Sequence, residues 1–138
     1  MMSKEDFAIS LTTLAEIDLV KSHKSLSPTN FTFEMYVNIQ EKTLTQNVFV
    51  TLVDDTHVMA YSLIGPCPND AATLQSILVE NMDGCYSRLA VSDGDLVQVY
   101  RYPLEFLDII EMLKALDELS QLANYALRRY YGEAGQAI

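Results

Sequence analysis

Residues 85–103, CYSRLAVSDGDLVQVYRYP, carry the reading that decides the fold. Two runs rich in β-branched and aromatic residues, 85–92 and 95–102, flank the pair Asp93-Gly94. A two-residue hairpin turn needs positive φ at its centre, and Asp-Gly supplies it at low steric cost. The two runs are therefore antiparallel strands. Pro103 has no N–H to give to a ladder, so it ends the second strand and suits the first turn of a helix. That helix is predicted over 104–131. Phe106, Ile109, Ile110, Leu113, Leu116, Leu119, Leu122, Ala123, Leu127 and Tyr130 form the wide apolar stripe of a helix lying on a sheet. Arg128 and Arg129 oppose the negative end of its dipole, Gly132 stops it, and residues 132–138 read as a frayed tail.

Upstream of the hairpin, Asn69 or Asp70 caps a helix running to about Met82. Leu74, Ile77, Leu78 and Met82 lie on one stripe, and Asp83-Gly84 ends it. Gly65-Pro66-Cys67-Pro68 separates this helix from three strand candidates. In 31–40, Phe31, Phe33, Met35, Val37 and Ile39 alternate with Thr32, Glu34, Asn38 and Gln40, which gives one buried and one wet face. Residues 41–46 read as the turn that follows. Residues 47–53 and 57–64 are apolar on both faces and meet at the turn pair Asp54-Asp55. A helix is predicted over 5–22, with Phe7, Leu11, Leu14 and Ile17 in line and Ser3 and Asp6 as its start signal. A loop, SHKSLSPTN, follows it. The order is α-β-β-β-α-β-β-α: an α+β fold with a single antiparallel sheet flanked by helices.

The chain has 138 residues, 49% of them hydrophobic and 20% charged, and its net charge is −10. One domain spanning 1–138 is expected, with its core at about 5–131. The acidic balance argues against nucleic acid and against anionic membranes as partners. Residues 1–10, MMSKEDFAIS, hold no apolar run of signal-peptide type, so a cytoplasmic location is expected. Cys67 and Cys85 read as reduced, partly buried small residues.

This order, with a helix ending near Asn81, a hairpin at Asp93-Gly94, closure at Tyr102-Pro103 and a long last helix, resembles the type III secretion chaperones and the related YbjN-like bacterial proteins. The resemblance covers about residues 5–131. Residues 41–46 stand where such proteins often carry an Asp-Gly turn. It implies a non-enzymatic protein that binds a protein partner or client through apolar surfaces and forms a homodimer. It carries the dimer contact onto Leu74, Ile77, Leu78, Met82 and Tyr86. It carries partner binding onto the two-sided strands, at Val48, Val50, Leu52, Met59, Tyr61 and Leu63. The alternative it implies is a YbjN-type sensory or stress regulator with no secreted client.

Nothing in the sequence points to a catalytic residue, a metal or a cofactor. His57 sits beside Asp54 and Asp55, but no third ligand is fixed by spacing. Ser92-Asp93-Gly94-Asp95 lacks the ligand ladder of a calcium loop. Glu105, Asp108 and Glu111 are expected to share a solvated side of the last helix. Met35, Met59, Met82 and Met112 fit either a core or an adaptable surface, and Tyr125, Tyr130 and Tyr131 either packing or an interface.

Overall fold

The computed structural model describes residues 2–39, 42–82, 84–132 and 136–137. Helix α1 (Lys4–Leu14) opens with a reciprocal cap: Asp6 N donates to Ser3 Oγ at 3.1 Å and Ser3 N donates to the Asp6 carboxylate at 3.2 Å. Phe7, Leu11 and Leu14, one turn apart, are its buried residues. The helix ends well short of residue 22. Residues 20–27, read as helix end and loop, form strand β1 (Val20–Ser27). Their sequence shows no apolar alternation. The strand exists because its neighbour offers a ladder, with Val20 opposite Met35, His23 opposite Phe33 and Ser27 opposite Asn30.

That neighbour is β2 (Asn30–Ile39), and its alternation holds: Phe31, Phe33, Met35 and Val37 are buried. Strand β3 (Lys42–Val53) pairs with β2 from Thr51 opposite Asn30 to Lys42 opposite Ile39. Residues 42–46 are thus strand rather than turn, while Gln40 and Glu41 lie outside the described residues. Strand β4 (His57–Pro66) follows Asp54 and Asp55, whose φ values of 53° and 58° are ones aspartate tolerates better than most residues.

Helix α2 (Ala71–Glu80) is capped by Asp70, whose carboxylate accepts from Thr73 N at 2.9 Å and Thr73 Oγ1 at 2.6 Å. Of the predicted stop Asp83-Gly84, Asp83 lies outside the described residues. Strands β5 (Arg88–Ser92) and β6 (Asp95–Pro103) make the expected hairpin, with φ 51° at Asp93 and 82° at Gly94. Leu104–Phe106 is a single 3-10 turn, and α3 (Ile109–Tyr131) starts only where the Asp108 carboxylate accepts from Ile110 N at 2.8 Å. Gly132 ends α3 at φ 69°. Of the predicted tail, 133–135 and 138 lie outside the described residues, while β7 (Gln136–Ala137) pairs with β3.

The fold is α+β. One open antiparallel sheet runs β1-β2-β3-β4-β6-β5, with β7 beside β3 off that path. The main core joins α1 and α3 to one sheet face: Phe7, Leu11, Met112, Leu116 and Leu119 pack with Phe33, Met35, Val48, Val50, Val58 and Ala60. A smaller cluster, Ile64, Ile77, Leu96, Ala123 and Ala126, seats α2 near the β5 end.

Candidate functional site

Strand periodicity divides the chain's two-sided strands between two environments. Pairing puts Val48, Val50, Val58 and Ala60 on the helix-covered face, and Phe49, Met59, Tyr61 and Leu63 on the other. The partner-binding residues expected from the resemblance are split by this. Val48 and Val50 are 0% and 1% exposed in the core, and Leu52 packs against the same cluster. A partner docking on the surface does not reach Val48 or Val50. Met59, Tyr61 and Leu63 stay together on the helix-free face, where Leu63 is 53% exposed.

Around them the face forms a depression of about 500 Å³, lined by Phe49, Met59, Tyr61, Leu63, Val97 and Val99 and rimmed by Ser92, Asp93 and Asp95. The Phe49 and Tyr61 rings stack with centroids 5.3 Å apart. Phe49 was legible as the opposite face of its strand. Val97 and Val99 were not, because only the β4–β6 register places them opposite Leu63 and Tyr61.

The second surface lies at the β5 edge. Of the five expected dimer residues, Leu74, Leu78 and Met82 are exposed, Leu78 at 70% and Met82 at 84%. Ile77 points into the smaller core instead. The Tyr86 hydroxyl donates to Glu111 Oε2 at 2.9 Å, which ties it to the start of α3. Val79 on α2 and Val91 on β5 join the exposed set. Between α2 and β5 runs a groove of about 370 Å³, lined by Leu74, Leu78, Leu89, Ala90 and Val91 among others. Ala90 also borders the helix-free depression, so the two surfaces meet at β5.

Three polar devices hold this region in place. The Asn81 side chain acts as a substitute strand: its Nδ2 donates to Leu89 O at 3.0 Å and its Oδ1 accepts from Leu89 N at 2.7 Å. Glu80 Oε1 forms an ion pair with Arg129 Nη1 at 2.5 Å and its Oε2 accepts from the Tyr130 hydroxyl at 2.7 Å, which fastens α2 to α3. Glu118 accepts from Cys85 N at 2.6 Å and from Tyr86 N and Ser87 N at 2.8 Å each, with the Ser87 hydroxyl at 3.2 Å. Burial pushes the Glu118 carboxyl up, but these hydrogen bonds outweigh it and hold the group below its ordinary range.

No family model matches the chain, and no curated protein matches its sequence. Among solved structures, the fold matches the chaperone SpcU, known from the heterodimeric complex ExoU–SpcU of the type III secretion system of Pseudomonas aeruginosa. The TM-score is 0.56 at 15% identity, covering 84% of this chain and 93% of that one. The chain has the fold of a type III secretion chaperone.

On that fold the other chemistry-bearing residues take structural places. His57 Nδ1 lies 3.0 Å from Thr56 Oγ1 at the start of β4, and no cluster of His, Cys, Asp and Glu suited to a metal occurs among the described residues. Glu105, Asp108 and Glu111 do not share a helix face: Glu105 sits in the 3-10 turn, Asp108 caps α3, and Glu111 holds Tyr86. The methionines divide, with Met35 and Met112 in the core, Met59 on the helix-free face and Met82 exposed. Cys67 is partly buried, and Cys85 is exposed rather than partly buried. Burial raises the Tyr100 hydroxyl to about 12, so it stays neutral. No helix among the described residues is long and apolar enough to cross a membrane.

Proposed function

We propose that this protein is a non-enzymatic, chaperone-like adaptor of the cytoplasm that holds an extended or partly folded segment of a partner protein. The observation that carries the reading is the helix-free face. A sheet face left uncovered normally turns polar, yet this one gathers Phe49, Met59, Tyr61, Leu63, Val97 and Val99 into a single depression. A solved relative in fold, SpcU, occurs in a heterodimeric complex with ExoU, which supports a protein as the partner. The net charge of −10 favours a basic partner. The α2–β5 groove is the proposed homodimer contact. Because Asn81 already occupies the N–H and C=O of Leu89, the sheet does not continue through that point, and the second copy is held by side chains.

The test is a tagged pull-down from the native cells, run in parallel with the natural chain, Tyr61→Glu/Leu63→Glu and Leu78→Glu/Met82→Glu. One stoichiometric partner lost only with the first variant supports the adaptor reading. A partner unaffected by that variant, or no partner at all, sinks it. Several weak signalling partners would favour the YbjN-type regulator instead.

A further inference from the structure

Strand β6 sends Leu96, Gln98 and Tyr100 to the helix-covered face, and all three are buried. Leucine and tyrosine suit that face. Gln98, 2% exposed, does not, because a buried primary amide is costly unless its groups are bonded. Its neighbours fix how it sits. The Glu118 carboxylate only accepts, so the Ser87 hydroxyl donates its proton there at 3.2 Å. That leaves the Ser87 oxygen as an acceptor, and Gln98 Nε2 donates to it at 2.9 Å. Gln98 Oε1 is thereby turned the other way. It accepts nothing among the described residues, yet it is not sealed in: Gln98 lines a cavity of about 280 Å³ between α3, the end of α2 and strands β5 and β6. The rest of the lining is of two kinds. Leu89, Leu122 and Ala126 make an apolar wall. Glu80 and Arg129 bring opposite charges, paired at 2.5 Å. Arg129 also donates to the Tyr125 hydroxyl at 3.0 Å and to Ser76 Oγ at 3.1 Å, but a guanidinium has five N–H groups and not all are spent.

We propose that this cavity binds a small apolar α-amino acid, held by its ammonium at Gln98 Oε1 and Glu80, by its carboxylate at Arg129, and by its side chain against Leu89, Leu122 and Ala126. The volume is at the small end of ligand sites, which start at about 300 Å³, and so suits a molecule of that size. A zwitterion meets both charges of the lining without adding net charge beside the Glu80–Arg129 pair. A simple amine would bring a cation next to Arg129, and a simple acid an anion next to Glu80. The proposal stands without the adaptor reading.

The experiment titrates the isotope-labelled natural chain with three probes and follows its amide NMR signals. The probes are leucine, isopentylamine, which lacks the carboxylate, and isocaproate, which lacks the ammonium. Leucine should shift the Gln98 side-chain amide and the Leu89 backbone amide saturably, with a Kd of about 1 mM or tighter. Each half-ligand should bind about tenfold more weakly, since each loses a hydrogen bond to a charged group. Gln98→Met keeps the volume and removes the acceptor, so it should weaken leucine about tenfold as well. Its melting curve is recorded alongside, and if that variant does not fold, the three probes on the natural chain still decide. A weaker leucine Kd, shifts that avoid the cavity, a half-ligand binding as tightly as leucine, or undiminished affinity in folded Gln98→Met would each overturn the proposal.

Discussion

The sheet has two outer edges, and they are protected by opposite means. Strand β1 is exposed along nearly its whole length and carries Lys21, His23 and Lys24. Lysines on an edge strand repel a second strand and keep their charge in water. Strand β5 carries no lysine, and its one cation, Arg88, is turned back onto Gly84 O and Ser87 O. Its backbone is capped at Leu89 by the Asn81 amide, and exposed apolar residues, Val91, Leu78 and Met82, surround it. The first edge is built to avoid contact. The second forbids sheet extension while leaving side chains free to pack, which is what a specific side-chain interface requires.

The largest effect expected from breaking this contrast is on assembly. Under the proposed dimer, Leu78→Glu/Met82→Glu should weaken self-association by about a hundredfold or more, since hot-spot residues each account for about 2 kcal/mol. Sedimentation should show folded monomers whose melting temperature no longer depends on protein concentration, whereas Leu26→Glu on β1 should leave association intact. Next in size is Glu118→Ala, which leaves the 85–87 amides without their acceptor. It should cost about 1.5–3 kcal/mol in denaturant unfolding, the range for hydrogen bonds to a charged group.

The same carboxylate sets a pH dependence. Its folded pKa lies below its unfolded value of about 4.3. Its contribution is therefore complete above that value and is lost as pH falls through the lower, folded one. Glu118→Gln should flatten that part of the acid unfolding profile. Asn81→Ala should cost about 1–2 kcal/mol and speed hydrogen exchange at Leu89. The smallest change in stability belongs to Lys21→Ile/Lys24→Ile, within about 0.5 kcal/mol. Light scattering should nonetheless show that variant aggregating, because the guard on the β1 edge is gone.

The two edges were unequally legible. The hairpin at Asp93-Gly94, the Ser3 and Asp70 caps and the alternation of β2 are local signals, and each appears where the sequence placed it. Strand β1 was missed because VKSHKSLS has no apolar period, and only the ladder offered by β2 makes it a strand. The start of β3 was read as a turn although Thr43-Leu44-Thr45 runs polar, apolar, polar, since a single apolar position is too short a period to mark a strand. For the candidate surfaces, the exposed stripe on α2 was readable from helical spacing. The helix-free depression was only half readable, because a strand apolar on both faces does not say which face the helices take. Val48 and Val50 went to the core for that reason. The Asn81–Leu89 and Glu118 contacts left no sequence signal, since each joins residues brought together only by the finished fold.

The strand order also implies an order in time. Strands β1 to β4 form a run of neighbours separated by only two or three residues of sequence, so their pairings close small loops. Joining β6 to β4 requires the chain to close over α2 and β5, and long-range pairings of that kind form slowly. In pulse-labelling during refolding, the amides of β2 and β3 should gain protection before those of β5 and β6. The side carrying the proposed dimer contact is then the last to be built, and a nascent chain would offer its helix-free β2–β4 surface before it can meet a second copy.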